Sequence, residues 1–138
     1  MTDTLHLEII TAGGAVVDTP AAQITLPLAD GEVGILPGHA PLLGALMCGV
    51  VRYTSGGEEQ YCAVSPGTGN VATKPVTVLA RTAERAPDID IARAEAALHR
   101  AESDLEARGM EMNISTPEAA RARAKARIRA AELWRKNG

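Results

Sequence analysis

The sequence predicts an α+β protein with an N-terminal β-sandwich followed by a C-terminal antiparallel two-helix hairpin. The composition changes at Pro87. Before Pro87, short apolar runs are interrupted by Gly and Pro, as is typical of strands joined by turns. After it, Ala, Glu and Arg dominate, and apolar residues recur every three or four positions, as in amphipathic helices. We therefore expect a β-sandwich domain over residues 1–86 and a helical hairpin over residues 87–138.

Short apolar runs separated by turn residues define the strands of the first domain. Turns at intervals of about 8–12 residues favour a sandwich or barrel over βαβ units. We interpret Asp-Thr-Pro at residues 18–20 as a break and Gly-Thr-Gly-Asn at residues 67–70 as a connecting segment. The expected strands cover residues 5–11, 16–17, 23–28, 33–36, 42–47, 50–54, 59–64 and 76–80.

The two cysteines do not form the framework of a disulfide-bonded protein. Gly56-Gly57 is typical of a hairpin tip, and the register that it sets places Cys62 opposite Val51, three residues from Cys48. Three residues along a strand span about 10 Å, which is too far for a disulfide without distortion. We expect two free, partly buried thiols, as in a reducing compartment.

The first helix of the second domain is expected to begin near Pro87-Asp88, a plausible N-cap region. Gly109 is placed to end this helix as the residue after its C-cap. One narrow apolar stripe follows the 3-4-3-4 spacing of a helix face. Its members are Ile91, Ala94, Leu98, Ala101 and Leu105.

The second helix is expected to begin near Pro117, with Ser115 or Thr116 as its cap. The connector over residues 109–114 is short, so the two helices should pack antiparallel. Alanine side chains bury little apolar area, so the contact that holds this hairpin in place is weak. The sequence is compatible both with a static hairpin and with one that changes position. The expected apolar side of the second helix consists of Ala120, Ala124, Ile128, Ala131 and Trp134.

Composition and motifs exclude several functions. Only 2% of the residues are aromatic, which argues against a stacking platform for single-stranded nucleic acid. His6, His39 and His99 are scattered without neighbouring ligands, so we expect no metal site. We find no phosphate-binding loop, no dinucleotide motif and no nucleophile–base arrangement, and we expect no catalytic residue. No apolar run approaches the ~18 residues needed to span a bilayer, and no signal peptide is evident.

Charge is distributed unevenly between the two expected helices. Residues 117–138 contain seven of the chain's 14 basic residues and two acidic ones, whereas residues 88–108 contain six acidic and three basic residues. Either the oppositely charged helices attract each other, or the basic helix binds a polyanion. A small nucleic-acid-binding protein is therefore the alternative reading, although the acidic first helix and the net charge of −3 count against it.

The most distinctive segment is GEVGILPGHAPLL at residues 31–43. It closely resembles the G-E-x-G-I-x-P-G-H-x-P-L-L loop of the epsilon subunit of bacterial F-type ATP synthases, which corresponds to the mitochondrial delta subunit. The L-E-I-I-T start at residues 7–11, the V-T-V-L-A strand at residues 76–80 and the closing helical hairpin extend the resemblance over nearly the whole chain.

This resemblance implies a non-catalytic subunit of the rotor's central stalk. Members of that family bind the gamma subunit and the ring of membrane c subunits, and they help to couple ion translocation to ATP synthesis. Their hairpin folds down on the sandwich or extends toward the alpha/beta catalytic head, where it inhibits ATP hydrolysis. The implied location is peripheral, on the cytoplasmic face of the bacterial plasma membrane, with no nucleic-acid partner and no required cofactor.

The resemblance also implies a regulatory ATP site in the hairpin. I-D-I-A-R-A at residues 89–94 is similar to the I/L-D-x-x-R-A motif of ATP-binding epsilon subunits. Arginines at i and i+7 or i+4 share a helix face, and their guanidinium groups suit phosphate oxygens, although they can instead pair with nearby glutamates. The implied ATP-binding residues are Glu84, Ile89, Asp90, Arg93, Ala94, Arg100, Arg123 and Arg127.

The same resemblance implies that the loop over residues 31–43 docks against the c-ring and gamma. Without it, the prolines and glycines predict only a solvated loop with a tight path. Glu32 would offer charge to polar loops of the ring, and His39 is either a pH-sensitive contact or a locally satisfied loop residue. The implied docking residues are Glu32, Gly38, His39, Ala40 and Pro41.

Overall fold

The computed structural model describes residues 4–108 and 117–137. Within these ranges ten strands, two more than predicted, precede a short 3-10 helix and two α-helices, and the predicted order of a β domain followed by helices is confirmed. The strands are β1 (Leu5–Thr11), β2 (Gly14–Ala21), β3 (Gln23–Leu28), β4 (Gly31–Ile35), β5 (Leu42–Leu46), β6 (Gly49–Ser55), β7 (Glu58–Val64), β8 (Gly67–Val71), β9 (Pro75–Ala80) and β10 (Ala83–Arg85). The 3-10 helix covers Ala86–Asp88, and the α-helices are α1 (Ile91–Arg108) and α2 (Pro117–Asn137).

The strands form one sheet in the order β10-β7-β6-β3-β5-β8-β9-β1-β2, and β4 pairs with β3 outside this path. All pairings are antiparallel except that of β1 with β9, which is parallel. β2, at one end of the strand order, contacts β10 at the other end and β6 two strands further in. The sheet therefore folds over itself. The result is the predicted β-sandwich, with a seam where the two ends of the sheet meet.

Aliphatic side chains fill the interior of this sandwich. Leu5, Leu7 and Ile9 alternate along β1 with outward-facing residues, and each is at most 2% exposed. Ile24 and Leu26 of β3 are fully buried in the same cluster. Because successive side chains of a strand point to opposite faces, this alternation fixes which face of each strand meets the core.

Two expectations about the strands were wrong. The predicted break at Asp-Thr-Pro lies inside β2, where Pro20 stands opposite His6. β2 is an edge strand, and one side of its backbone is unpaired, so proline's missing N–H is tolerated there. The predicted connecting segment at residues 67–70 belongs to β8, between β5 and β9. β10, which pairs with β7, was not predicted.

The predicted hairpin tip and the free cysteines are confirmed. Gly56 and Gly57 have φ values of +60° and +80°, as a type I′ turn requires, and Cys62 stands opposite Val51. Both Cys48 and Cys62 are free thiols. Burial raises the pKa of the Cys62 thiol to about 12, so this side chain is a neutral part of the core at pH 7.

The start of α1 differs from the prediction at Pro87-Asp88. These residues lie in the 3-10 helix, and α1 begins at Ile91. Asp90 caps the helix, because its Oδ1 atom accepts a hydrogen bond of 3.1 Å from the backbone N–H of Arg93. The predicted helix end at Gly109 and the caps Ser115 and Thr116 lie outside the described residues. No helix within the described ranges is long and apolar enough to cross a membrane.

The second helix buries a wider surface than the single predicted stripe. Ala124 and Ala131 are buried as expected, but Trp134 is 37% exposed. Ala126 and Ala130, which were not predicted, are buried as well. They belong to a second apolar cluster, in which they pack with β6, β7 and the 3-10 helix. This cluster consists of Val50, Tyr61, Ala63, Ala86, Ile89, Ala126, Ala130 and Ala131, with Cys48, Ile91 and Leu133 at its border.

The two helices pack against each other as the predicted antiparallel pair. Ile91 at the start of α1 and Leu133 near the end of α2 border the same apolar cluster. The first residues of one helix are therefore close to the last residues of the other. This arrangement joins the hairpin to the outer face of the sandwich through α2.

We predict that Gly67→Ala strongly destabilises the protein. A Cβ atom at this position would lie 1.8 Å from the backbone oxygen of Leu79, so β8 and β9 would have to separate. The free energy of unfolding should fall by more than about 3 kcal/mol, as for other large steric effects. Urea unfolding followed by circular dichroism measures this change.

Gly34→Ala is the matched control, because a Cβ atom there meets nothing within 4 Å. Its free energy of unfolding should change by less than about 1 kcal/mol, since reduced freedom of the unfolded chain is the main effect. Equal stability of the two variants would show that β8 does not approach β9 as described.

Candidate functional site

A cavity of about 470 Å³ lies between the end of the sandwich and the helical hairpin. Its walls come from four consecutive parts of the fold: β10, the 3-10 helix, α1 and α2. It is lined by Ala63, Thr82, Ala83, Glu84, Asp88, Asp90, Arg93, Ala94, Ala97, Arg100 and Arg127. Small side chains line the rest of the wall, so the charged groups determine what the cavity can bind.

The first wall carries carboxylates from the segment that joins sandwich to hairpin. Glu84 lies in β10, which the pairing of Ala83, Glu84 and Arg85 with β7 holds against the sheet. Asp88 ends the 3-10 helix, whose Pro87 fixes the backbone at its start. The sheet therefore fixes the position of Glu84, whereas a single turn of 3-10 helix fixes the position of Asp88.

The second wall is the first half of α1. Asp90 is held by its capping bond to Arg93, and Ala94 is almost fully buried against the neighbouring helix. Arg93 and Arg100 are seven residues apart, so they share one face of α1 and both line the cavity. Both side chains are exposed, which leaves their guanidinium groups free to turn toward a ligand.

The third wall is α2, which contributes Arg127. Its Nε atom lies 3.2 Å from Oε1 of Glu84, and this ion pair connects the helix directly to β10. The side chain of Arg127 is 30% exposed and that of Glu84 is 38% exposed. Because solvent screens such a pair, it contributes at most about 1 kcal/mol to stability. A phosphate group that competes for Arg127 would therefore displace a weak contact.

Six of the eight residues proposed for ATP line this cavity. Ile89 does not, because it is 9% exposed and packs in the apolar cluster beneath α2. Arg123 lines a narrow adjoining cleft together with Arg127. There both guanidinium groups lie near Cys48, where burial raises the pKa of the thiol and the two positive charges oppose that rise.

Asp88 and Thr82 also line the cavity but were not predicted to do so. Asp88 was interpreted as part of a helix start, and only its place in a 3-10 turn directs it to the cavity. Thr82 lies in a bend between β9 and β10, and nothing in its sequence surroundings marks it. The charged lining thus contains three arginines and three carboxylates.

This lining suits an anionic ligand that also carries hydrogen-bond donors. Guanidinium groups bind phosphate oxygens with two parallel hydrogen bonds, and the carboxylates can accept bonds from an amino or hydroxyl group. No group of three or more His, Cys, Asp and Glu side chains that could hold a metal ion occurs in the ranges that the structure describes. The lining thus offers guanidinium groups to an anion and carboxylates to hydrogen-bond donors.

The predicted docking loop has a fixed shape at Pro37-Gly38. The backbone N–H of His39 donates a 3.0 Å hydrogen bond to the carbonyl oxygen of Leu36, and Gly38 has a φ of +88°. This is the geometry of a type II turn, with Pro at the second position and Gly at the third. Nδ1 of His39 lies 2.7 Å from the carbonyl oxygen of Ala40 and donates a hydrogen bond to it.

Glu32 precedes this turn and is held by a partner on a neighbouring strand. The Nη2 atom of Arg52 donates hydrogen bonds of 2.9 Å to both carboxylate oxygens of Glu32. Glu32 lies in β4 and Arg52 in β6, on either side of β3. The Glu32 side chain is still 52% exposed, and Gly38, Ala40 and Pro41 are also exposed.

Comparisons with known proteins agree with both parts of this fold. The model of the ATP synthase delta/epsilon chain β-sandwich domain matches residues 4–86, and that of its long α-helix domain matches residues 88–132. An ATP synthase epsilon chain of Desulforamulus reducens is 44% identical over 132 residues, which cover 96% of this chain and 100% of the relative. An epsilon chain of Solibacter usitatus is 40% identical, covering 96% of this chain and 98% of the relative.

Solved structures show the same fold at lower identity. A chain in the cryo-EM structure of the Euglena gracilis mitochondrial ATP synthase has a TM-score of 0.67 at 22% identity, covering 96% of this chain and 80% of that one. A chain in the central stalk and c-ring structure of the Tetrahymena thermophila enzyme has a TM-score of 0.56 at 11% identity, covering 96% and 97%. On the two domain matches and the full-length relatives together, this chain belongs to the ATP synthase delta/epsilon chain family.

Proposed function

We propose that the chain is a non-catalytic subunit of the central stalk of a bacterial F-type ATP synthase. The observation that carries this proposal is the match of both domains, in order, to the family models and to full-length epsilon chains. In this role the chain binds the gamma subunit and the c-ring, and it transmits rotation between the membrane sector and the catalytic head. Its location is then peripheral, on the cytoplasmic face of the bacterial plasma membrane.

The loop from Glu32 to Pro41 supports the proposed contact with the c-ring. Its backbone is fixed by the turn at Pro37-Gly38, so little conformational entropy is lost when a partner binds. Arg52 holds the Glu32 carboxylate in one place, while about half of that side chain faces solvent. A preorganised negative charge beside exposed backbone suits the polar loops of a membrane ring.

We predict that Glu32→Lys weakens attachment to the membrane sector while leaving the fold intact. The substitution replaces an exposed carboxylate and places a second cation beside Arg52 without touching the core. Binding to isolated membrane sectors should fall at least about tenfold, as for loss of a charge-assisted contact. Co-sedimentation of the chain with membranes stripped of the catalytic head measures this binding.

Arg52→Gln is the matched control, since it removes the same ion pair but keeps the Glu32 carboxylate. Binding should then fall much less than with Glu32→Lys, because only the preorganisation of the carboxylate is lost. If both substitutions weaken binding equally, the ion pair matters only for the local structure of β4. Glu32 then makes no direct contact with the membrane sector.

We further propose that residues 87–138 are a regulatory hairpin. The contact of α2 with the sandwich is built largely from alanine methyl groups, at Ala126, Ala130 and Ala131. Each contributes well under the roughly 1.5–3 kcal/mol of a buried leucine. Such a hairpin can leave the sandwich at moderate cost and extend toward the alpha/beta head, where it inhibits ATP hydrolysis.

Removal of residues 87–138 should leave ATP hydrolysis by the reconstituted complex at least as fast as with the intact chain. The core of the sandwich is a separate apolar cluster that contains no residue of the hairpin, so the remaining domain retains its packing. Steady-state ATPase measurements on complexes with equal amounts of each chain provide the test. A marked fall in hydrolysis, with the truncated chain still bound to gamma, would contradict an inhibitory hairpin.

We propose that ATP is the regulatory ligand of the cavity between sandwich and hairpin. Arg93 and Arg100 from α1 and Arg127 from α2 supply phosphate-binding groups, and Glu84 or Asp90 accepts a hydrogen bond from the adenine amino group. The arginines converge only when α1 and α2 lie side by side, so ATP stabilises the folded-down hairpin. Arg123, on the adjoining cleft, joins the site if the triphosphate extends past Arg127.

We predict that Arg93→Ala and Arg127→Ala each weaken ATP binding by roughly tenfold to a hundredfold, the usual effect of losing one charged hydrogen-bonding group. Isothermal titration calorimetry of the purified chain measures the dissociation constants. Arg129→Ala is the control, because Arg129 is exposed and lines a different groove, beside Leu98. The absence of heat with the unaltered chain at millimolar ATP would refute the site, and equal losses in all three variants would show nonspecific attraction.

A further inference from the structure

A second cavity, of about 340 Å³, lies on the other side of β10, at the seam where the two ends of the sheet meet. β10 ends the sheet on one side and β2 on the other. Glu84 and Arg85 are neighbours in this strand, and their side chains point to opposite faces. Glu84 lines the cavity beneath the hairpin, whereas Arg85 lines the cavity at the seam.

Arg85 is the principal charged group of the seam cavity. Its side chain is half-buried, and no carboxylate within the described part of the chain forms an ion pair with it. Its guanidinium lines the same cavity as the phenol of Tyr53, which is only 3% exposed, and its positive charge acts to lower the pKa of that phenol. A half-buried guanidinium that forms no ion pair and faces an open cavity suits a carboxylate or phosphate ligand.

Neutral hydrogen-bonding groups surround this charge. Burial raises the pKa of the Tyr53 phenol, helped by the Cys62 thiol and opposed by Arg85, so the phenol is protonated at pH 7. Gln60 lines the cavity next to Tyr53, its cross-strand partner. The hydroxyl oxygens of Thr19 and Ser55 lie 2.9 Å apart and bridge β2 to β6 at the same wall.

One acidic residue at the rim limits the charge that the ligand can carry. Asp18 lines the cavity, and its Oδ1 atom shares a hydrogen bond with Nε2 of His6, which holds the carboxylate on the β1 side of β2. A dianion would still be repelled by this carboxylate. Val16 and Val17 of β2 supply an apolar wall opposite the polar groups.

We propose that the seam cavity binds a small organic monocarboxylate. Arg85 and Tyr53 hold its carboxylate, and its short apolar part lies against Val16 and Val17. The volume is at the lower end of the roughly 300–1,000 Å³ typical of ligand cavities, which is more than enough to admit a small organic acid. Because β2 and β10 both line the site, the ligand ties the two ends of the sheet together.

Propionate is the probe for this site, and propionamide is its uncharged counterpart of nearly equal shape. Two-dimensional NMR of the full chain should show saturable shifts with propionate, centred on β2, β6 and β10, with a dissociation constant of roughly 1–10 mM. Propionamide should give no saturable shifts. Equal binding of both probes, or tighter binding of inorganic phosphate than of propionate, would overturn the monocarboxylate assignment.

Arg85→Gln should weaken propionate binding at least about tenfold. Arg81→Gln, which removes an exposed arginine outside the cavity, should leave it unchanged. Tyr53→Phe should weaken binding severalfold, which keeps the proposal testable if Arg85→Gln fails to fold. Unchanged binding in both Arg85→Gln and Tyr53→Phe would refute the site. ATP titrations of the Arg85→Gln chain should match those of the unaltered chain, since the two cavities have different linings.

Discussion

The contact of α2 with β6 and β7 is the interaction on which the candidate site depends. Ala126 and Ala130 are small enough to let the helix backbone approach Val50 and Ala63 closely. This approach brings Arg127 within 3.2 Å of Glu84 and turns an open surface beside β10 into a cavity. Larger residues at the alanine positions would bury more area, but they would hold the helix farther from the sheet and widen the gap between the two charges.

The same small residues distribute apolar packing unevenly between the two parts of the fold. The sandwich core consists of long aliphatic side chains such as Leu7, Ile24 and Leu26, which are fully buried. The cluster beneath α2 contains only one large side chain that is fully covered, Tyr61, and several alanines. Burial of large aliphatic side chains is therefore concentrated in the sandwich, whose core cluster contains no residue of α1 or α2.

Features that depend on nearby residues were predictable from the sequence, and those that depend on distant ones were not. The tip at Gly56-Gly57 follows from the conformations that two consecutive glycines allow, and the shared face of Arg93 and Arg100 follows from helix geometry. β8 was missed because Gly67 reads locally as a turn residue, whereas its role is to admit the backbone of β9. The convergence of the arginines with Glu84 followed from the family resemblance, since nothing in the local sequence sets α2 beside β10.

The short strand β10 imposes a rule on the length of the segment between the sandwich and the hairpin. Side chains in a strand alternate with a period of two, so inserting or deleting a single residue at Ala83, before the charged pair, would exchange the faces that Glu84 and Arg85 occupy. An arginine would then face the arginines of the hairpin, and a glutamate would enter the seam. The length of Ala83–Arg85 therefore determines which charge faces which cavity, although this segment lies at the boundary between two domains, where length is usually least constrained.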